Sequence, residues 1–123
     1  MMKTAFGCIA LLILTGCATG SQHKYEWGNY EQSMYDYYKN PADSNPLILS
    51  IESTIKKSEI TDRKVAPGLY AEYGYLLMLQ GKQQDAVVNF EKEKQKWPES
   101  SILMDKMTKL AQAKPVTQDE AKQ

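Results

Sequence analysis

From Tyr30 to Leu110 the apolar side chains recur at helical intervals, and proline, glycine and asparagine punctuate the runs. Tyr30, Met34, Tyr37 and Tyr38 follow at steps of four, three and one, which places them on one face of a first helix ended by Asn40-Pro41. Asn45-Pro46 opens a second helix, with asparagine as cap and proline in the first turn, where its missing N–H costs nothing. Ile48, Ile51 and Ile55 share its buried face, and the polar run from Lys56 to Lys64 is expected to end it and loop to Pro67-Gly68. A third helix, about Leu69 to Gln80, is apolar nearly all round, the pattern of a helix buried between neighbours. Gly81 supplies a turn residue free of the left-handed penalty. A fourth helix, about Gln83 to Trp97, sets Ala86, Phe90 and Trp97 on one face and is closed by Pro98. Ser100 or Ser101 caps a fifth, whose apolar stripe reads Leu103, Met107, Leu110. The expectation is an all-α chain of about five helices in an antiparallel stack, without a sheet.

The N-terminal end follows a different pattern. Met1-Met2-Lys3 is a short positive start, and Ala5 to Leu14 is an apolar run of signal-peptide length, too short to span a bilayer. Leu14-Thr15-Gly16-Cys17 then resembles the bacterial lipobox: an aliphatic residue, two small or moderate ones, and a cysteine. The resemblance implies cleavage before Cys17, a diacylglyceryl group on its thiol and acylation of the new amino terminus. One acyl chain holds a membrane only marginally, at about 0.8 kcal/mol per buried methylene, whereas two or more anchor stably. Residues 1–16 thus read as a lipoprotein signal peptide and residues 17–24 as lipidated cysteine and polar tether. Residues 25–112 are the helical domain, and residues 113–123 a polar, disordered tail. Cys8 falls in the discarded segment, so the mature chain keeps Cys17 alone and forms no internal disulfide. By resemblance to the enterobacterial sorting rule, Ala18 instead of aspartate after the cysteine points to the outer membrane.

Composition narrows the function classes. An apolar share of 42% and a charged share of 24% are ordinary for a globular domain, and a mean hydropathy of −0.52 argues against a multi-span membrane protein. The 15 basic and 15 acidic residues cancel, which leaves too little positive charge to hold a nucleic acid backbone. His23, the only histidine, lies in the tether without partners for a metal site. No glycine-rich phosphate loop, nucleophile elbow or His-Glu-x-x-His pair occurs. The carboxylate pairs Glu31/Asp36 and Glu91/Glu93 lie among lysines and read as solvated helix faces. The expectation is therefore no enzyme, no cofactor, no metal and no small-molecule substrate. The aromatic cluster between Tyr25 and Tyr38 divides: Tyr30, Met34 and Tyr37 suit packing against helices two and three. Tyr25 and Trp27, beside the tether, suit contact with a partner or the membrane interface.

Pro67 to Ser100 has the 34-residue length of a tetratricopeptide repeat, and Gly74, Gly81, Ala86, Phe90 and Pro98 resemble its signature positions. Small Gly74 and Ala86 let two antiparallel helices approach, and Phe90 fills the space between repeats. Leu77 stands where tyrosine is common and Glu93 where a small alanine is usual; the second departure implies that the groove side of helix four is wider or wetter than in a regular array, or that nothing packs closely there. At least about three units are normally needed for a stable stack. Here one is clear, and helices one, two and five would bring the total to about two and a half.

With Tyr25-Glu26-Trp27-Gly28-Asn29-Tyr30-Glu31 near its start and Trp97-Pro98 near its end, the chain resembles small bacterial outer-membrane lipoproteins with a tetratricopeptide-like helical repeat. These are often encoded beside a curli-secretion-channel-like lipoprotein. The resemblance implies a multi-protein envelope assembly and no particular activity. Together with Cys17, the repeat signature and the missing active-site motifs, it leads to the expectation of a periplasm-facing, lipid-anchored, non-enzymatic adaptor that binds another envelope lipoprotein or channel component in an assembly or secretion complex. The alternative is a regulator of a peptidoglycan synthase or hydrolase.

Overall fold

A computed structural model describes residues 23–113, so Cys17, the segment before it, most of the tether and the tail lie outside the described residues. Within that span the chain forms α1 (Tyr30–Lys39), α2 (Asn45–Ile60), α3 (Leu69–Leu79), α4 (Gln83–Lys96), a 3-10 turn (Pro98–Ser100) and α5 (Ser101–Ala113). No strand occurs among the described residues. The helices stack in chain order, each antiparallel to the one before, with α3 and α4 the most closely packed pair and α5 touching both.

The tight α3–α4 hairpin has a direct cause in the sequence. Gly81 turns the chain at φ +78°, a conformation open to glycine at no steric cost. At Gly74 the two helices come so close that a Cβ would stand 2.7 Å from Phe90 Cε1 and 3.0 Å from the Ala86 carbonyl oxygen. Ala86 and Phe90 are fully buried there, packed with Leu77, Met78, Met104 and Ala111 between α3, α4 and α5. Pro98 opens the 3-10 turn that leads into α5. A second apolar cluster joins Leu47, Ile48, Ile51 and Ile55 of α2 to Leu69, Tyr70 and Leu76 of α3. Trp27, Tyr30, Met34 and Tyr37 pack onto it as half-buried side chains, so the anticipated packing of Tyr30, Met34 and Tyr37 is found.

Four expectations need correction. Tyr38, placed on one face of the first helix with Tyr30, Met34 and Tyr37, does not join their packing and is 82% exposed, because it lies one residue beyond Tyr37 and turns past the contact with α2 and α3. The second helix does not stop at the polar run but continues to Ile60. Thr54 and Ser58 extend the buried stripe of Ile51 and Ile55, and their hydroxyls donate to the carbonyls of Ser50 (2.8 Å) and Thr54 (2.9 Å), so small polar residues pass into the interior already satisfied. In the fifth helix the buried positions are Met104 and Ala111, with Met107 half-buried. Ile102, Leu103 and Leu110 remain exposed, because contact with α4 and α3 selects the face carrying the side chains that fit there. Glu93, read as part of a solvated face with a wet side to helix four, is 2% exposed. Its carboxylate instead lies inside the hairpin, bonded to the start of α3.

Candidate functional site

The first helical turn of α3 begins at Gly68, which has φ +89° and no side chain with which to cap the helix. Four N–H groups at a helix start need acceptors from elsewhere. Glu93 of α4 provides one: its Oε1 accepts the Gly68 N–H at 2.6 Å, and the Tyr70 and Ala71 N–H groups also favour its charged form. Burial nevertheless dominates and pushes the Glu93 carboxyl above the usual range. Its Oε2 has no partner among the described residues. An antiparallel hairpin is thereby closed at its open end by a buried acceptor placed at a positive helix terminus.

Two phenol–carboxylate bonds tie the other helices together. Tyr30 of α1 donates to Glu72 of α3 at 2.7 Å, and Tyr70 of α3 donates to Glu59 of α2 at 2.7 Å. Burial, then the carboxylate partner, raises both phenols, and burial raises Glu72 despite the bond from Tyr30. Each carboxylate thus accepts from a phenol that stays protonated. These pairs bridge helices and leave no activated nucleophile.

Residues 23–29 form a strap that reaches the C-terminal half of α2, the loop after it and Trp97 at the end of α4. Glu26 takes Lys57 Nζ at 2.7 Å and Arg63 Nη1 at 3.6 Å, and the Lys57 bond leads in holding its carboxyl below the usual range. The Thr54 hydroxyl, which donates to Ser50 at 2.8 Å, also lies 3.3 Å from the Trp27 carbonyl oxygen and can share its proton with it. Tyr25 stands edge-on to Trp97, ring centres 6.1 Å apart, and to Trp27 at 6.4 Å. Tyr25 and Trp27 are therefore half-buried links between the start of the fold and the end of α4. Sequence spacing did not bring Tyr25 to Trp97, because the partners are 72 residues apart in the chain.

Open surfaces among the described residues include clefts and exposed apolar helix faces. A cleft of about 520 Å³ lies over Tyr73 and Leu77 of α3, between Leu49 and Glu52 of α2 and Asp85 and Val88 of α4. Burial raises the Tyr73 phenol, helped by the charges of Glu52 and Asp85. Apolar side chains are also exposed on the outer faces of α1, with Tyr35 and Tyr38, and α5, with Ile102, Leu103 and Leu110. Among the described residues, no three His, Cys, Asp or Glu side chains are grouped to hold a metal ion. No described helix is long and apolar enough to cross a membrane.

A family model described as a domain of unknown function, DUF4810, matches residues 24–107. The chain belongs to the DUF4810 family. No curated protein and no solved structure matches it. The DUF4810 span runs from the strap to Met107 in α5, so strap and stack form one family unit. Cys17 precedes that unit. The helical signature residues Gly74, Gly81, Ala86, Phe90 and Pro98 all fall within it, at the α3–α4 hairpin and its exit. Glu93 and the Tyr30–Glu72 and Tyr70–Glu59 pairs were not found from sequence. Only for Glu93 was there a signal, a carboxylate where the repeat pattern has alanine.

Proposed function

We propose that this DUF4810 chain is a lipid-anchored, non-enzymatic adaptor of the bacterial outer membrane that binds another envelope protein and supports an assembly or secretion complex. The observation that carries the reading is Leu14-Thr15-Gly16-Cys17 directly after a signal-length apolar run. Acylation at Cys17 would leave five residues, Ala18 to Gln22, between the lipid and the first described residue, His23. At no more than about 3.5 Å per residue, that tether keeps the strap within about 20 Å of the bilayer surface. The module behind it supports an adaptor role because the carboxylates of Glu59, Glu72 and Glu93 join parts of the stack, while apolar side chains stand exposed on both terminal helices. A stack of antiparallel helix pairs resembling tetratricopeptide units suits the recognition of another protein.

Mass spectrometry of the membrane-extracted N-terminus tests the anchor. A lipid-modified Cys17 as the first residue is expected, and an unmodified thiol refutes it. Crosslinking in intact cells tests the adaptor role: recovery of one envelope protein in fixed ratio to the chain is expected, and its absence from repeated recoveries refutes it.

A further inference from the structure

We infer that copies of this chain associate head to tail, the outer face of α1 in one copy meeting the outer face of α5 in the next. The two helices lie at opposite ends of the stack and do not touch each other. In stacked helical proteins the terminal units normally carry a polar outer face, because nothing packs beyond them. Here neither end follows that rule. On α1, Tyr38 is 82% exposed and Tyr35 53%, pointing away from the inward-packed Tyr30 and Tyr37. On α5, Ile102 is 76% exposed, Leu103 57% and Leu110 46%, away from the buried Met104 and Ala111.

Charge selects the occupant. The exposed charges on α1 are Glu31, Asp36 and Lys39, one net negative, with the Lys39 ammonium 4.3 Å from the centre of the Tyr35 ring. The exposed bases on α5 are Lys106 and Lys109, while its Asp105 is bonded to Lys94 of α4 at 2.5 Å. Pairing α5 with α5 sets lysines against lysines, and pairing α1 with α1 sets acids against acids. Pairing α1 with α5 opposes unlike charges around an apolar centre, the arrangement that favours one register and rejects others. The contact is heterologous, so it propagates from copy to copy instead of closing at a dimer. One helix face against another buries less than the roughly 1,200 Å² typical of stable complexes, so the contact is weak for free chains and gains from tethering on a common surface.

Crosslinking of full-length chains in bacterial membranes tests this. Variants Tyr38→Cys, Leu103→Cys and the double variant are treated with a short bis-maleimide, with the wild type, which holds only Cys8 and Cys17, as blank. A ladder of multimers from the double variant, with each single variant giving only the blank's pattern, is the expected result. In the double variant, Lys106→Glu is expected to weaken the ladder about tenfold or more, and adding Glu31→Lys to restore it. The substituted side chains are exposed, and unchanged helical circular dichroism confirms that the fold is intact. A dimer from either single variant shows a two-fold contact and overturns the proposal. So does the lack of a ladder, a ladder that ignores Lys106→Glu, or a crosslink only to a protein of another mass. That last outcome leaves the adaptor reading standing, which separates the two.

Discussion

Replacing Glu93 by alanine removes the acceptor that closes the N-terminus of α3 from a position that is 2% exposed. The Gly68 N–H, a part-buried donor, then loses its 2.6 Å bond, and leaving it without the buried carboxylate costs about 1–3 kcal/mol. Truncating the methylenes leaves a void beside the hairpin, adding roughly 1 kcal/mol. Together these give a loss of about 2–4 kcal/mol. A domain of this size has about 5–14 kcal/mol in all, and its melting temperature should drop by roughly 10–25 °C. The E93Q variant keeps the shape and the Oε1 acceptor, and should stay within about 1 kcal/mol of wild type at neutral pH. The pH dependence separates the two effects. Because burial raises the Glu93 carboxyl, the folded state binds that proton more tightly than the unfolded chain does. Its contribution is fully present below the usual carboxylate value of 4.5 and declines as pH rises through the folded value. Wild type minus E93Q should therefore show stability falling with rising pH above about pH 4.5. Urea denaturation between about pH 4 and pH 7.5, followed by the fluorescence of Trp27 and Trp97, measures all three chains. An E93A loss below about 0.5 kcal/mol, or an E93Q loss equal to that of E93A, would refute the capping argument.

Gly74→Ala should destabilise by about 1–3 kcal/mol in the same denaturation assay although alanine favours helix, because the added Cβ meets the Phe90 ring at 2.7 Å and the Ala86 carbonyl oxygen at 3.0 Å. Phe90→Ala, at a fully buried site shared by α3, α4 and α5, should cost about 3–5 kcal/mol and leave the chain partly unfolded at 37 °C by circular dichroism. Glu26→Gln releases the strap from Lys57 and Arg63, so proteolysis within residues 23–29 should quicken while the denaturation midpoint stays nearly unchanged. Glu26 is held below its usual range, so in wild type the strap's ion pairs hold above about pH 4.5 and fail as pH falls further. Cleavage there should then quicken in acid. Cys17→Ser should move the chain from the membrane pellet to the soluble fraction, and retention in the pellet contradicts the proposed anchor.

Helix existence and order were determined by the sequence, because each helix has its own apolar period and its own stop residue. Asn40-Pro41, Gly81 and Pro98 interrupt the chain through local backbone preferences that no distant contact needs to supply. The close α3–α4 approach was also legible, since only a residue as small as Gly74 permits it. Faces and ends were another matter. The stripe Leu103, Met107, Leu110 is as good a helical period as Met104, Ala111, and only the surfaces of α3 and α4 choose between them. Ser58 and Thr54 look like solvent-facing residues until their hydroxyls are seen bonded within α2. The three carboxylate acceptors, exposed Glu59, half-buried Glu72 and buried Glu93, answer donors 11, 42 and 25 residues away in sequence. A carboxylate's local sequence looks the same on a wet surface and at a helix N-terminus. Its role follows from which donors the folded chain brings to it, and that is a property of the tertiary structure alone.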